Sequence, residues 1–108
     1  MTAAYAVALL RAAGPQEGVV RYLEGIDATL APFGGRYLVH GDPPTVLEGE
    51  WPGDLVVIAF PDRARAEAWY ASDAYREILP LRRSGVAGPV VLIDGVPPGH
   101  RATDILTR

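Results

Sequence analysis

The chain has no cysteine, no lysine and no asparagine, one methionine and two histidines. Without cysteine there are no disulfides, thiolate nucleophiles, iron–sulfur clusters or cysteine-based zinc sites. Without lysine there is no Schiff-base chemistry, and every cation other than histidine is arginine. Together with abundant Ala, Gly and Pro, this reads as the codon bias of a GC-rich bacterial genome. No apolar run approaches the roughly 20 residues that cross a bilayer. The first apolar stretch, in MTAAYAVALLRAAG, has no basic segment ahead of it, so a signal peptide is not expected. Basic runs are missing too. The net charge is −3, and phosphate backbones are bound by clustered cations, so nucleic acid is not an expected partner. The expectation is a soluble cytoplasmic protein without nucleic-acid or membrane partners.

What is present is enough for one domain: 108 residues, 49% of them hydrophobic. The pattern predicts a folded domain over 1–96 and an extended tail over 97–108 that begins Pro97-Pro98-Gly99. A first strand is expected over 5–10. Gly14-Pro15 then opens a helix with Pro15 at its first position. Val19, Tyr22, Leu23, Ile26, Leu30 and Phe33 recur on one face of it. Pro32 distorts or shortens its last turn, and Gly34-Gly35 ends it. A second strand covers 36–41. A third begins over 45–50, is interrupted by Trp51-Pro52-Gly53-Asp54, and resumes as LVVIAF over 55–60. Pro61 stops it and Asp62 caps a helix. Ser72 caps a second short helix, which Pro80 ends. The last strand is VVLID, over 90–94. The order β-α-β-β-α-β is the ferredoxin-like unit, an antiparallel four-stranded sheet with helices on one face. The apolarity of 55–60 implies that the second face is covered too, and a second copy of the chain would do that.

The motifs Gly34-Gly35-Arg36-Tyr37, Val46-Leu47-Glu48-Gly49, Ala59-Phe60-Pro61, Ala68-Trp69-Tyr70, Ser72 and Tyr75 follow one another in order. In these the chain, from about Tyr5 to Val96, resembles the bacterial domain-of-unknown-function family numbered thirteen-thirty, of the dimeric α+β barrel superfamily. Departures fall at Pro32, Asp73 and His40. The resemblance implies a ferredoxin-like protomer that dimerises through its sheet. The wider superfamily includes cofactor-independent monooxygenases, isomerases, cyclases and haem-handling enzymes, while the family itself implies no settled activity.

Several residues can carry chemistry. Arg36, Leu38 and His40 alternate and so are expected on one strand face, with Tyr37 and Val39 on the other. Arg36 and His40 could then bind a carboxylate or enolate and move a proton. Alternatively Arg36 pairs with Glu48 and His40 ends its strand in solvent. Glu48 shares a face with Glu50, the spacing of an acid–base pair or of a solvated edge. Tyr70 can aim its hydroxyl into a cleft. Tyr5, Trp69 and Arg82 are candidate substrate contacts, although Arg82 and Arg83 also suit the negative end of a helix. Ser72 reads as a cap. No cofactor and no metal site is expected. Two readings follow: a cofactor-independent enzyme on a small organic or polyketide-like molecule, with His40, Arg36, Glu48 and Tyr70 as its catalytic set, or a non-catalytic binding or structural dimer.

Overall fold

The computed structural model describes residues 2–107; the outer ends of the expected domain and tail, Met1 and Arg108, lie outside the described residues. Strand β1 spans Ala4–Ala12, helix α1 Glu17–Leu30, β2 Arg36–His40 and β3 Asp54–Phe60. Helices α2 (Arg63–Ala71) and α3 (Asp73–Arg83) follow, then β4 (Val86–Ala87) and β5 (Val90–Asp94). The sheet is antiparallel at every pairing: β2 against β3, β3 against β1, and β1 against both β4 and β5. This is the ferredoxin-like arrangement, with five strand segments where four are expected. Segments β4 and β5 share one register on β1, since Arg11 faces Ala87 and Ala8 faces Val90. Between them Pro89 has no N–H to give, and Gly88 turns at φ +142°.

The expected caps form. The Asp62 carboxylate accepts from the Arg65 N–H at 2.8 Å, and the Ser72 hydroxyl accepts from that of Tyr75 at 3.3 Å. Helix α1 yields at Pro32 to a 3-10 turn over Ala31–Phe33, and Gly34, at φ +71°, closes it.

Four expectations are corrected. Pro15 lies outside α1, which starts at Glu17; Gln16 stands at the cap, and its amide donates to the Gly14 and Gly85 carbonyls instead. Residues 45–50 form no strand. They belong to an exposed loop, because no neighbouring strand offers Val46 and Leu47 a ladder. Pro80 does not end α3, which runs on to Arg83. A proline removes one helical hydrogen bond, and burial of Leu79 and Arg82 on either side of it holds the helix together. The tail is not extended throughout, since Ala102–Thr107 coils into an exposed 3-10 helix.

The core lies between the sheet and the helices. Ala4, Ala6, Ile58 and Phe60 from the strands meet Tyr22, Ile26, Leu30, Trp69, Tyr75 and Leu79 from the helices. The opposite face has no helix. Leu38, Val91 and Ile93 there are about half exposed.

A cavity between the sheet and the helices

Strand β2 does not alternate as its sequence suggests. Arg36 faces Ala59 and Tyr37 faces Ile58, but Val39 then faces Val57 and His40 faces Val56. One extra residue, Leu38, sits between the second and third pairs, which is a β-bulge. Cross-strand partners share a sheet face. Tyr37 and His40 therefore lie together on the helix side, with ring centroids 4.3 Å apart and planes 21° from parallel. Arg36 lies on the bare side. The expectation that Arg36 and His40 share a face is thus corrected: the bulge takes His40 across.

His40 stands at a cavity of about 180 Å³ between β1, β2, β3 and the helices. Small side chains create it: Ala6 and Ala8 on β1 lie opposite Tyr22 of α1 and Tyr75 of α3. The lining is mainly apolar and aromatic, with polar groups at a few points, as ligand sites usually are. The Tyr22 and Tyr75 hydroxyls hydrogen-bond each other at 2.8 Å. The Trp69 indole N–H donates to the Thr29 hydroxyl at 3.0 Å, which in turn donates to the Ile26 carbonyl. Burial, reinforced by Tyr75 alongside, pushes the Tyr22 hydroxyl far above its ordinary pKa. Tyr37 is pushed up to about 12, first by burial and then by the Asp27 carboxylate and Tyr75. Both phenols therefore keep their protons near neutral pH.

Arg82 completes the lining. It retains only 8% of its surface exposure, and its guanidinium carbon stands 6.0 Å from the centre of the Tyr22 ring. Among the described residues its side chain has no ion pair and no hydrogen bond; the arginines in ion pairs are Arg63 and Arg65, both at the surface.

Of the residues singled out from sequence, His40, Trp69 and Arg82 line this cavity. Arg36 and Tyr5 line a separate hollow on the bare side of the sheet, with Leu38 and Ala59. Arg36 is exposed and, among the described residues, without an ion pair, so the expected pairing with Glu48 does not form. Glu48 sits in the β2–β3 loop near Trp51. Tyr70 borders a shallow depression beside the cavity, where Arg83 donates to its hydroxyl at 3.5 Å; Arg82 lines that depression too. Tyr22, Tyr37 and Tyr75 are not among the candidate site residues read from sequence. A signal was available: a tyrosine, not a phenylalanine, on the apolar face of a helix needs a buried partner for its hydroxyl. Among the described residues no cluster of histidine and carboxylates could hold a metal ion, and no helix is long and apolar enough to cross a membrane.

Residues 3–96 match the family described as "Domain of unknown function (DUF1330)". No curated protein matches the chain. Among solved structures, it is similar to the RPA0582 protein of unknown function from Rhodopseudomonas palustris. Identity is 21%, coverage 90% of this chain and 85% of that one, and the TM-score 0.69. It is also similar to SnoaB, a cofactor-independent oxygenase from Streptomyces nogalater, at 12% identity over 94% of this chain and 100% of that one, with a TM-score of 0.61. A dimeric ferredoxin-like protein of unknown function from Jannaschia matches at 15% identity over 88% of this chain and 99% of that one, with a TM-score of 0.57. At these identities the likeness concerns the fold.

Proposed function

The chain belongs to the domain-of-unknown-function family DUF1330, and from that starting point we propose that it is a homodimeric, cofactor-independent enzyme acting on a small organic molecule held in the cavity. The observation that carries this is the convergence on one mainly apolar space of His40, turned there by the bulge, and the buried Arg82. Histidine exchanges protons near neutrality. Neutral His40 removes a proton from carbon beside a carbonyl, the bonding electrons stay on the substrate as an enolate, and the arginine's charge favours that anion. Returning the proton to another carbon makes an isomerase. Attack of the enolate on an internal carbonyl makes a cyclase. Addition of the enolate carbon to dioxygen, with the proton returned by His40, gives a C–OOH group, whose O–O bond breaks with loss of water to leave a new carbonyl. That makes an oxygenase, which is the activity named for SnoaB. Trp69 supplies wall, and Tyr37 sets the orientation of the His40 ring by stacking. Pairing of two bare sheet faces, in keeping with the dimeric relative from Jannaschia, would enclose Arg36 and Tyr5 at the interface. Glu48 and Tyr70, outside the cavity, have no step in this reaction.

The test is proton exchange. The protein is incubated in heavy water with a panel of small aromatic and polyketide-like carbonyl compounds, and loss of C–H signal is followed by NMR. His40→Ala should slow exchange about 10²-fold or more with little change in thermal stability, because the ring is exposed at the rim. Exchange that survives His40→Ala removes His40 from the chemistry.

The alternative, a binding dimer without chemistry, is favoured by two features. The deep hydroxyls of Tyr22 and Tyr75 are already satisfied by each other, and no carboxylate lines the cavity as a second proton carrier. It predicts saturable binding with no exchange for any compound of the panel.

A further inference from the structure

Arg82 is nearly enclosed, at 8% exposure, yet among the described residues it has no counter-charge. Its guanidinium stands 6.0 Å from the centre of the Tyr22 ring and its nitrogens still touch solvent, for no buried side-chain nitrogen or oxygen is left without a partner among the described residues. A cation largely withdrawn from water gains from a charged partner, and the surroundings supply none. No aspartate or glutamate lines the cavity. Tyr22 and Tyr37 hold their protons, so neither becomes a phenolate. The other role open to an arginine at the end of a helix is to satisfy the last carbonyls. Three of those are taken: the Pro80 carbonyl accepts from the Ser84 N–H, that of Leu81 from the Ser84 hydroxyl, and that of Arg82 from the Gly85 N–H. Arg83 meets the helix end equally well from an exposed position.

Resting on the cavity as the ligand site, we infer that the ligand is an aromatic monocarboxylate whose carboxylate pairs with the Arg82 guanidinium and whose ring lies among Tyr22, Tyr37, Trp69 and Tyr75. A single cation calls for a single negative charge. A guanidinium presents two parallel N–H groups that match the two oxygens of a carboxylate. The walls are aromatic and the space, about 180 Å³, is small, which suits one flat ring better than a long chain. Arg82 also lines the shallow depression next to Arg83. Arg82 thus borders both the cavity and the depression beside exposed Arg83.

Benzoate and its neutral counterpart benzamide are the probes. Trp69, in the cavity wall, reports occupancy by its fluorescence; Trp51→Phe removes the only other indole, which lies in the β2–β3 loop. Benzoate should bind saturably, and benzamide about tenfold or more weakly. Arg82→Met should abolish that preference, while Arg82→Lys keeps it in reduced form. Equal binding of the two probes, absence of saturable benzoate binding, or a preference that survives Arg82→Met would each overturn the inference. Failure here is separable from failure of the catalytic reading. Proton exchange, which His40→Ala should lose, decides the catalytic reading, whereas the preference for benzoate over benzamide, which Arg82→Met should lose, decides this inference.

Discussion

Along β1, Ala4, Ala6 and Ala8 face the helices, and the alternate residues, Tyr5, Val7 and Leu9, face away. The helix-side residues are the smaller and the more buried; the larger ones remain partly exposed. On the helix side the bulk comes from above, from Tyr22, Trp69 and Tyr75, and the alanines leave room beneath them. On the bare side the strands supply the bulk themselves, with Val57, Val91, Ile93 and Leu38. Small residues under large aromatics make a space that can admit a ligand. Large aliphatics with nothing over them make a surface suited to a second copy of itself.

The sharpest way to break this comparison is to place one charge on each side at neighbouring positions. Ile58 is buried toward the helices and Val57 points to the bare face. Ile58→Asp should cost about 3–5 kcal/mol, because a lone carboxylate enters the core, and should leave little folded protein by circular dichroism. Val57→Asp should keep the fold and shift sedimentation from about twice 11.6 kDa toward that single-chain mass. A Val57→Asp protein that stays dimeric would place the interface elsewhere.

A smaller effect sharpens the helix side alone. Tyr75→Phe removes one partner of the buried hydroxyl pair and leaves the Tyr22 hydroxyl unsatisfied, which costs about 1–3 kcal/mol. The paired variant Tyr22→Phe, Tyr75→Phe should recover part of that loss in chemical denaturation. If the double variant were simply additive, the two hydroxyls would not be coupled.

The smallest effect is at alkaline pH. Tyr37 titrates near 10 when unfolded and near 12 in the folded protein. Between those values the unfolded chain gives up the proton and the folded one does not. The contribution of Tyr37 is therefore whole below pH 10 and disappears as pH rises through about 12. Tyr22, shifted in the same direction, adds to the slope. The melting temperature of Tyr37→Phe should fall less steeply over this range than that of the parent, and curves of equal slope would count against burial of the Tyr37 hydroxyl.

Which parts were legible in sequence follows from how local their causes are. The caps at Asp62 and Ser72 and the break at Pro32 depend on a few adjacent residues, and they form as read. Residues 45–50 look like a strand by composition, but a strand exists only if another lies beside it. Pro80 carries a local penalty that packing of α3 against α1 overrides. The site divides in the same way. His40, Trp69 and Arg82 attract notice as residue types. Their convergence depends on the bulge at Leu38, where no glycine or proline marks the irregularity. The assignment of Arg36 and His40 to one face failed for that reason alone, since strict alternation was assumed across a strand that breaks it.

That bulge has a consequence for how such a protein can diversify. Because a single extra residue decides which side chains of β2 face the cavity, pairing the same five residues without the bulge would put Val39 in the cavity and return His40 to the side of Arg36. Loss of Leu38 itself would instead leave His40 where it is, since Tyr37, Val39 and His40 would then simply alternate in their present pairings. Lineages carrying the same scaffold can thus exchange an ionisable group for an aliphatic one by a slip of strand register, a route that position-by-position comparison of residue identities would overlook.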